Sequence, residues 1–150
     1  MKALTLMQPW TTLIAIGAKK IETRSWSTRY RGSLAIHAAQ GFPGWAKRFC
    51  EARIVCGALG WPMCPFSGMD QSWCDEMKRL IGTLPRGAVI ATCTLVDCIS
   101  TTGVEPVNEQ ERAFGDYSPG RYAWMLNNVQ QTEPILAKGA LGLWEWKETS

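Results

Sequence analysis

Apolar and polar positions change period several times along the chain, and each change marks an element. Residues 3–7, "ALTLM", form a short apolar run that reads as a strand. Trp10, Leu13, Ile14 and Gly17 then follow the i, i+3, i+4, i+7 spacing of a helix with one buried stripe. Pro9 suits the first turn of that helix, where no N–H is needed, and Gly17 suits its end, where the left-handed conformation is wanted. From residue 20 the period is two: Lys20, Glu22, Arg24 and Trp26 share one strand face, with Ile21, Thr23 and Ser25 on the other. "SLAIHA", 33–38, alternates again, placing Leu34 and Ile36 inward and Ala35 and His37 opposite.

Residues 45–56 read as an amphipathic helix carrying Trp45, Phe49 and Ile54. "GWPMCPFSG", 60–68, is a Pro/Gly-rich loop, and a further helix runs from Asp70 or Ser72 to Leu80 with Gly82 as its stop. "GAVIATCTLVDCIS", 87–100, is the strongest strand because it is rich in β-branched residues. Residues 101–120 read as a polar loop or short helix, and "RYAWML" and "LGLWEW" as two late strands. With no repeat, low-complexity tract or linker, the pattern predicts one α+β domain over 1–150, with mostly antiparallel strands and two or three flanking helices.

Composition narrows this little. At 150 residues and 46% hydrophobic content the chain can bury one core without metals or disulfides. The opening "MKALTLMQPW" is too short and too early interrupted for a signal peptide or membrane span, so a cytoplasmic protein is expected. Six cysteines without a C-x-x-C pair, beside the lone His37, lack the usual zinc-ligand spacings, so neither metal nor cofactor is expected.

Charge changes the picture more. The net charge of +3 is modest, but residues 19–31 hold Lys19, Lys20, Arg24, Arg29 and Arg31 against Glu22 alone. The remainder carries eleven basic and twelve acidic groups. Concentrating the excess in one stretch favours a local anion site over general solubility. A lysine shielded by a wall of strands loses hydration and can act as base or polarise a carbonyl, while a neighbouring glutamate opposes that shift. Arg24 offers a fixed fork of donors to a phosphate or carbonyl oxygen. Trp10 and Trp26 offer flat faces for a base, and Arg29 and Arg31 could track phosphates at the rim. Each feature has a structural reading beside it. Glu22 and Arg24 could be a solvated ion pair, Lys19 could meet the negative end of the helix, and Trp124, Trp144 and Trp146 read as core.

Phosphate-loop, dinucleotide-turn and H-E-x-x-H signatures are absent. Instead, Gln8-Pro9-Trp10 is followed by Gly17-x-Lys19-x-x-Glu22-x-Arg24, then Trp26, Arg31-Gly32 and Ile36-His37-Ala38. In these motifs and their order the sequence resembles the ASCH family, and "GRYAWML" and "GLWEW" are similar to that family's closing strands. The resemblance covers residues 3–40 and 86–147, leaving a family-variable helical and loop insertion around 41–82. It implies a PUA-like, mixed, partly open β-barrel whose cleft holds the Lys/Glu/Arg group, with RNA or a modified nucleoside as ligand. It also leaves two activities open. Some members are RNA-binding modules, and others are hydrolases acting on N-acetylated cytidine or on RNA. On the hydrolytic reading Lys19 and Glu22 are the reacting pair. The deacetylating members carry threonine where Glu22 stands here, and they add a carboxylate from the loop after the long central strand. Glu105, Glu109 and Glu111 lie in that region, with Glu109 or Glu111 favoured as acid/base. A third reading takes the Trp-bearing loop 60–74 as an exposed patch for a protein partner.

Overall fold

A computed structural model describes residues 1–148. Its strands are β1 (Lys2–Leu6), β2 (Ile21–Arg24), β3 (Gly32–Ala38), β4 (Ala88–Ser100), β5 (Tyr122–Leu136) and β6 (Leu143–Glu145). Five α-helices join them: α1 (Trp10–Ala15), α2 (Gly44–Cys50), α3 (Arg53–Leu59), α4 (Gln71–Gly82) and α5 (Glu109–Ala113). The strands make one sheet in the order β2-β5-β4-β3-β1-β6. Only β1 and β3 are parallel, and the edge strands β2 and β6 do not meet, so the curled α+β sheet remains open on one side.

The β-branched run 88–100 becomes the spine of this sheet, pairing with β3 on one side and β5 on the other. Register shifts at Val89/Ala91, Thr92/Thr94 and Leu95/Asp97 break the β4–β5 ladder, and such bulges bend a sheet. Leu4, Leu6, Leu34, Ile36, Ile90, Leu95 and Trp124 fill one face beneath Ile14 of α1. On the other, Ala3, Ala35, Val89 and Trp146 form a smaller cluster. Because β3 is covered on both faces, Ala35 and His37 are as buried as Leu34 and Ile36.

Two elements depart from the periodicity. The helix expected over 45–56 is broken at Ala52, which is extended (φ −62°, ψ 135°) and starts α3. A continuous helix with Ala46 and Cys50 inward would carry Arg53 and Gly57 onto the same stripe; the break turns Val55 and Cys56 inward instead. The strand "RYAWML" runs on through "NNVQQTEPIL" to Leu136. That extension carries little apolar alternation because β2 covers β5 only as far as Met125, leaving the rest an edge where Pro134 is tolerated. Among the described residues no helix is long and apolar enough to cross a membrane.

Candidate functional site

The turn after α1 is built before any ligand is considered. Gly17 has φ +80°, and the Lys19 amide donates to the Leu13 carbonyl at 3.0 Å, bringing the chain straight from helix into β2. The Lys19 side chain is 1% exposed. Its ammonium donates to the carbonyls of Ile21 (2.5 Å) and Phe114 (3.0 Å) and lies 3.6 Å from Glu22 Oε2. The helix carbonyls named in the structural reading are not its partners.

Opposite this turn, Glu111 does what a neighbouring strand would do. Its Oε1 and Oε2 accept from the Lys20 amide at 3.1 and 3.0 Å, and Oε1 also accepts from the Ile21 amide at 2.9 Å. Asn108 caps α5 by accepting from the Glu111 amide at 2.8 Å, which fixes where that carboxylate points. Buried carboxylates persist only when so partnered.

Glu22, 8% exposed, links this buried layer to an open cleft. Its other oxygen, Oε1, lies 3.8 Å from Arg24 Nη1. The cleft has a volume of about 460 Å³. One wall is aromatic: Trp10 on α1 stacks on Phe49 (5.0 Å, 8° between planes) and meets Trp45 at 5.7 Å, both from α2. The facing wall is polar, with Glu22 and Arg24 from β2 and Asp116 and Arg121 from the segment before β5. The Asp116 amide donates to Thr23 Oγ1 (2.9 Å), and Arg121 Nη2 donates to the Thr23 carbonyl (3.2 Å), tying that segment to β2. The Ser118 hydroxyl and then its amide, donating to Asp116 Oδ1, hold the Asp116 carboxyl below its ordinary range, with Arg121 adding to the effect. Nearby Tyr117 is pushed up to about 12, first by burial and then by the carboxylates of Glu111 and Glu22.

The structure therefore brings Trp10, Lys19, Glu22, Arg24 and Glu111 together, with Lys19 and Glu111 behind the lining layer. Trp26 lies beside them. Its ring stands edge-on to buried Trp124 at 4.7 Å, and the Arg24 guanidinium lies 5.7 Å over it. Arg29 and Glu109 are exposed and do not line the cleft. Arg31 is spent on Asp97 (3.2 Å) and on the carbonyls of Thr28 and Tyr30. Glu105 pairs with Arg112. Trp45, Phe49, Asp116 and Arg121 complete the cleft without having been singled out. The acid and base of "GDYSPGR" were a readable signal, whereas the two aromatics looked like an ordinary core stripe. In the loop 60–74 the tryptophans are packed rather than free: Trp73 and Trp61 join Met77, and Trp73 Nε1 donates to the Pro62 carbonyl at 3.1 Å. All six cysteines are free thiols, and among the described residues no group of His, Cys, Asp and Glu is placed to hold a metal.

Fold and cleft define a small open-sheet α+β module with an aromatic wall facing an ion-paired one. The ASCH domain model matches residues 4–136, and the chain belongs to the ASCH domain family. Activating signal cointegrator 1 from Mus musculus and from Homo sapiens are each 26% identical to it over 128 residues, which is 85% of this chain. The chain spans only 19% of the length of those relatives. Among solved structures, the ASCH protein of Zymomonas mobilis aligns with a TM-score of 0.49 at 15% identity, covering 90% of this chain and 72% of that one. A point mutant of the same protein aligns with a TM-score of 0.47 at 15% identity, with 90% and 74% covered.

Proposed function

We propose that the chain is an RNA-binding module whose cleft takes one base of a single strand, or a modified nucleoside. The observation that carries this reading is the Trp10/Trp45/Phe49 wall facing Arg24 and Arg121 across a cleft of about 460 Å³. Aromatic faces stack on any base and the guanidinium forks suit phosphate or carbonyl oxygens. Glu22 and Asp116 would accept from exocyclic amino groups. Membership of the family supports nucleic-acid binding in general terms. Titration of the protein with a labelled single-stranded RNA tests it. Affinity should fall with salt and be weakened by Trp10→Ala and by Arg24→Ala; a flat titration at low salt removes the reading.

A hydrolytic second reading rests on Glu22, a carboxylate in the cleft lining that could activate water as a general base. Lys19, with its donors aimed at two carbonyls and at Glu22, would then position that base. Release of cytidine from N-acetylated cytidine, or cleavage of RNA, by the wild type but not by Glu22→Gln would favour it over binding alone.

A further inference from the structure

A second groove, of about 550 Å³, opens across the sheet from the first. Thr5 of β1 and His37 of β3 form its floor, Gln40 and Gly87 one side, and the loop Lys138–Leu141 the other. Thr5 and Leu6 are successive residues of one strand and so point to opposite faces, Thr5 into this groove and Leu6 into the cleft. The two openings thus lie at the same strand ends, on opposite faces of the sheet.

Two features of the groove point to an anionic ligand. The loop Lys138-Gly139-Ala140-Leu141-Gly142 is pressed onto the floor. A Cβ at Gly139 would fall 2.6 Å from His37 Cε1 and 2.8 Å from both His37 Nδ1 and Thr5 Oγ1, so only glycine allows this approach. The backbone N–H groups of 138–142 find no carbonyl partner among the described residues. A basic residue leading a G-x-x-G loop with free amides is an arrangement that clamps nucleic-acid backbone in other folds.

Next, the charge is one-sided. Among the described residues no carboxylate lines the groove and Lys138 makes no ion pair. His37 Nε2–H donates to the Ala137 carbonyl at 2.8 Å, tying the loop to the floor, and its Nδ1, sealed beneath Gly139, is an acceptor that takes no part in holding an anion.

We propose that this groove is a second site, in which Lys138 and the 139–142 amides hold the phosphodiester backbone of a strand whose base occupies the first cleft. The inference rests on the RNA-binding reading above. Gln40 lines the groove and Trp45 the cleft, and the five steps of chain from one to the other span at most about 18 Å. A strand of a few nucleotides covers that distance, at the lower end of the roughly 4–16 nucleotides that a small single-strand-binding fold covers.

Anisotropy titrations of the whole chain with labelled single-stranded RNAs of two nucleotides, too short to reach both sites, and of twelve separate the two sites. Lys138→Ala should weaken the twelve-mer about three- to tenfold and lower its salt slope by about 0.7, one phosphate contact. The two-mer should stay within about twofold. Lys138→Arg should restore the twelve-mer, and Lys147→Ala, a change of equal charge at another exposed lysine, should leave it alone. An unchanged twelve-mer in Lys138→Ala overturns this site while the cleft reading stands, and so does an equal loss in Lys147→Ala, which would mark bulk charge. Failure of the wild type to bind either RNA overturns both. Lys138-dependent sedimentation with phosphatidylserine vesicles, displacing the twelve-mer, would assign the phosphate to a lipid headgroup and overturn the nucleic-acid site.

Discussion

Lys19 and Arg31 stand at the two ends of the same basic stretch, and in the sequence they look interchangeable. In the fold they are opposites. Lys19 is sealed beneath the cleft, with two carbonyls and a carboxylate around its ammonium. Arg31 lies at the surface, sharing Asp97 and two carbonyls with water. Water decides what each charge does. A buried charge whose partner is removed leaves the other uncompensated, whereas an exposed pair competes with solvent and gains little. The stretch 19–31 is therefore half architecture and half surface, and its charge density gives no hint of where the division falls.

Breaking the comparison at its buried end should have the largest effect. Lys19→Ala strands Glu22 and two carbonyls, and should lower unfolding free energy by about 3–5 kcal/mol in a denaturant titration. Glu111→Ala, which removes the acceptor for the Lys20 and Ile21 amides, should lower it by about 1.5–3 kcal/mol. Both would loosen the turn that presents Glu22 and Arg24. A Lys19→Ala protein as stable as wild type would show that the buried layer carries no such weight.

Trp10→Ala sharpens the contrast from the cleft side. It should cost about 1–3 kcal/mol in RNA affinity, read by titration, because one stacking face is lost. Tyr117→Phe comes next. The Tyr117 hydroxyl is buried without a partner, so its removal should be neutral or stabilising by about 1 kcal/mol. The smallest effect belongs to Arg31→Ala, expected within about 1 kcal/mol of wild type.

Buried titratable groups set an alkaline limit. Burial pushes Tyr117 up to about 12, and Cys50 and Cys93 likewise to about 12 from ordinary thiol values near 9. Groups raised in the fold stabilise it fully below their unfolded values and lose that contribution as pH climbs toward the folded ones. Thermal stability should therefore start to fall near pH 9 and keep falling toward pH 12. In Tyr117→Phe the share that begins near pH 10 should be missing.

How much of this was legible varied with the kind of signal. The resemblance in motif order grouped Trp10, Glu22 and Arg24 around one cleft, while the period of two put Glu22 and Arg24 on one strand face because that period is fixed by backbone geometry. The β-branched run 88–100 announced the spine of the sheet in the same way. The choice among Glu105, Glu109 and Glu111 was not legible. They share one polar segment, and only the turn of α5 aims Glu111 at the β2 amides. Trp45 and Phe49 were visible as a stripe, but a stripe does not say whether it faces a core or a cleft. The polar half of β5 was hidden for a related reason: with water on its open edge, nothing selects for alternation.

The short strand β6 pairs with β1 across nearly the whole sequence, Leu143 with Leu4 and Glu145 with Lys2. Contacts of such separation are slow to find, since the loop between them must first be closed. During synthesis at roughly 5–20 residues per second, β1 would wait on the order of 10 s with that edge unpaired. The sheet thus gains its outer edge only from the last strand to be made. Amides of β6 should be among the last to gain protection in a pulse-labelled refolding experiment, and a chain stopped before Leu143 would leave β1 as a ready template for a stray strand.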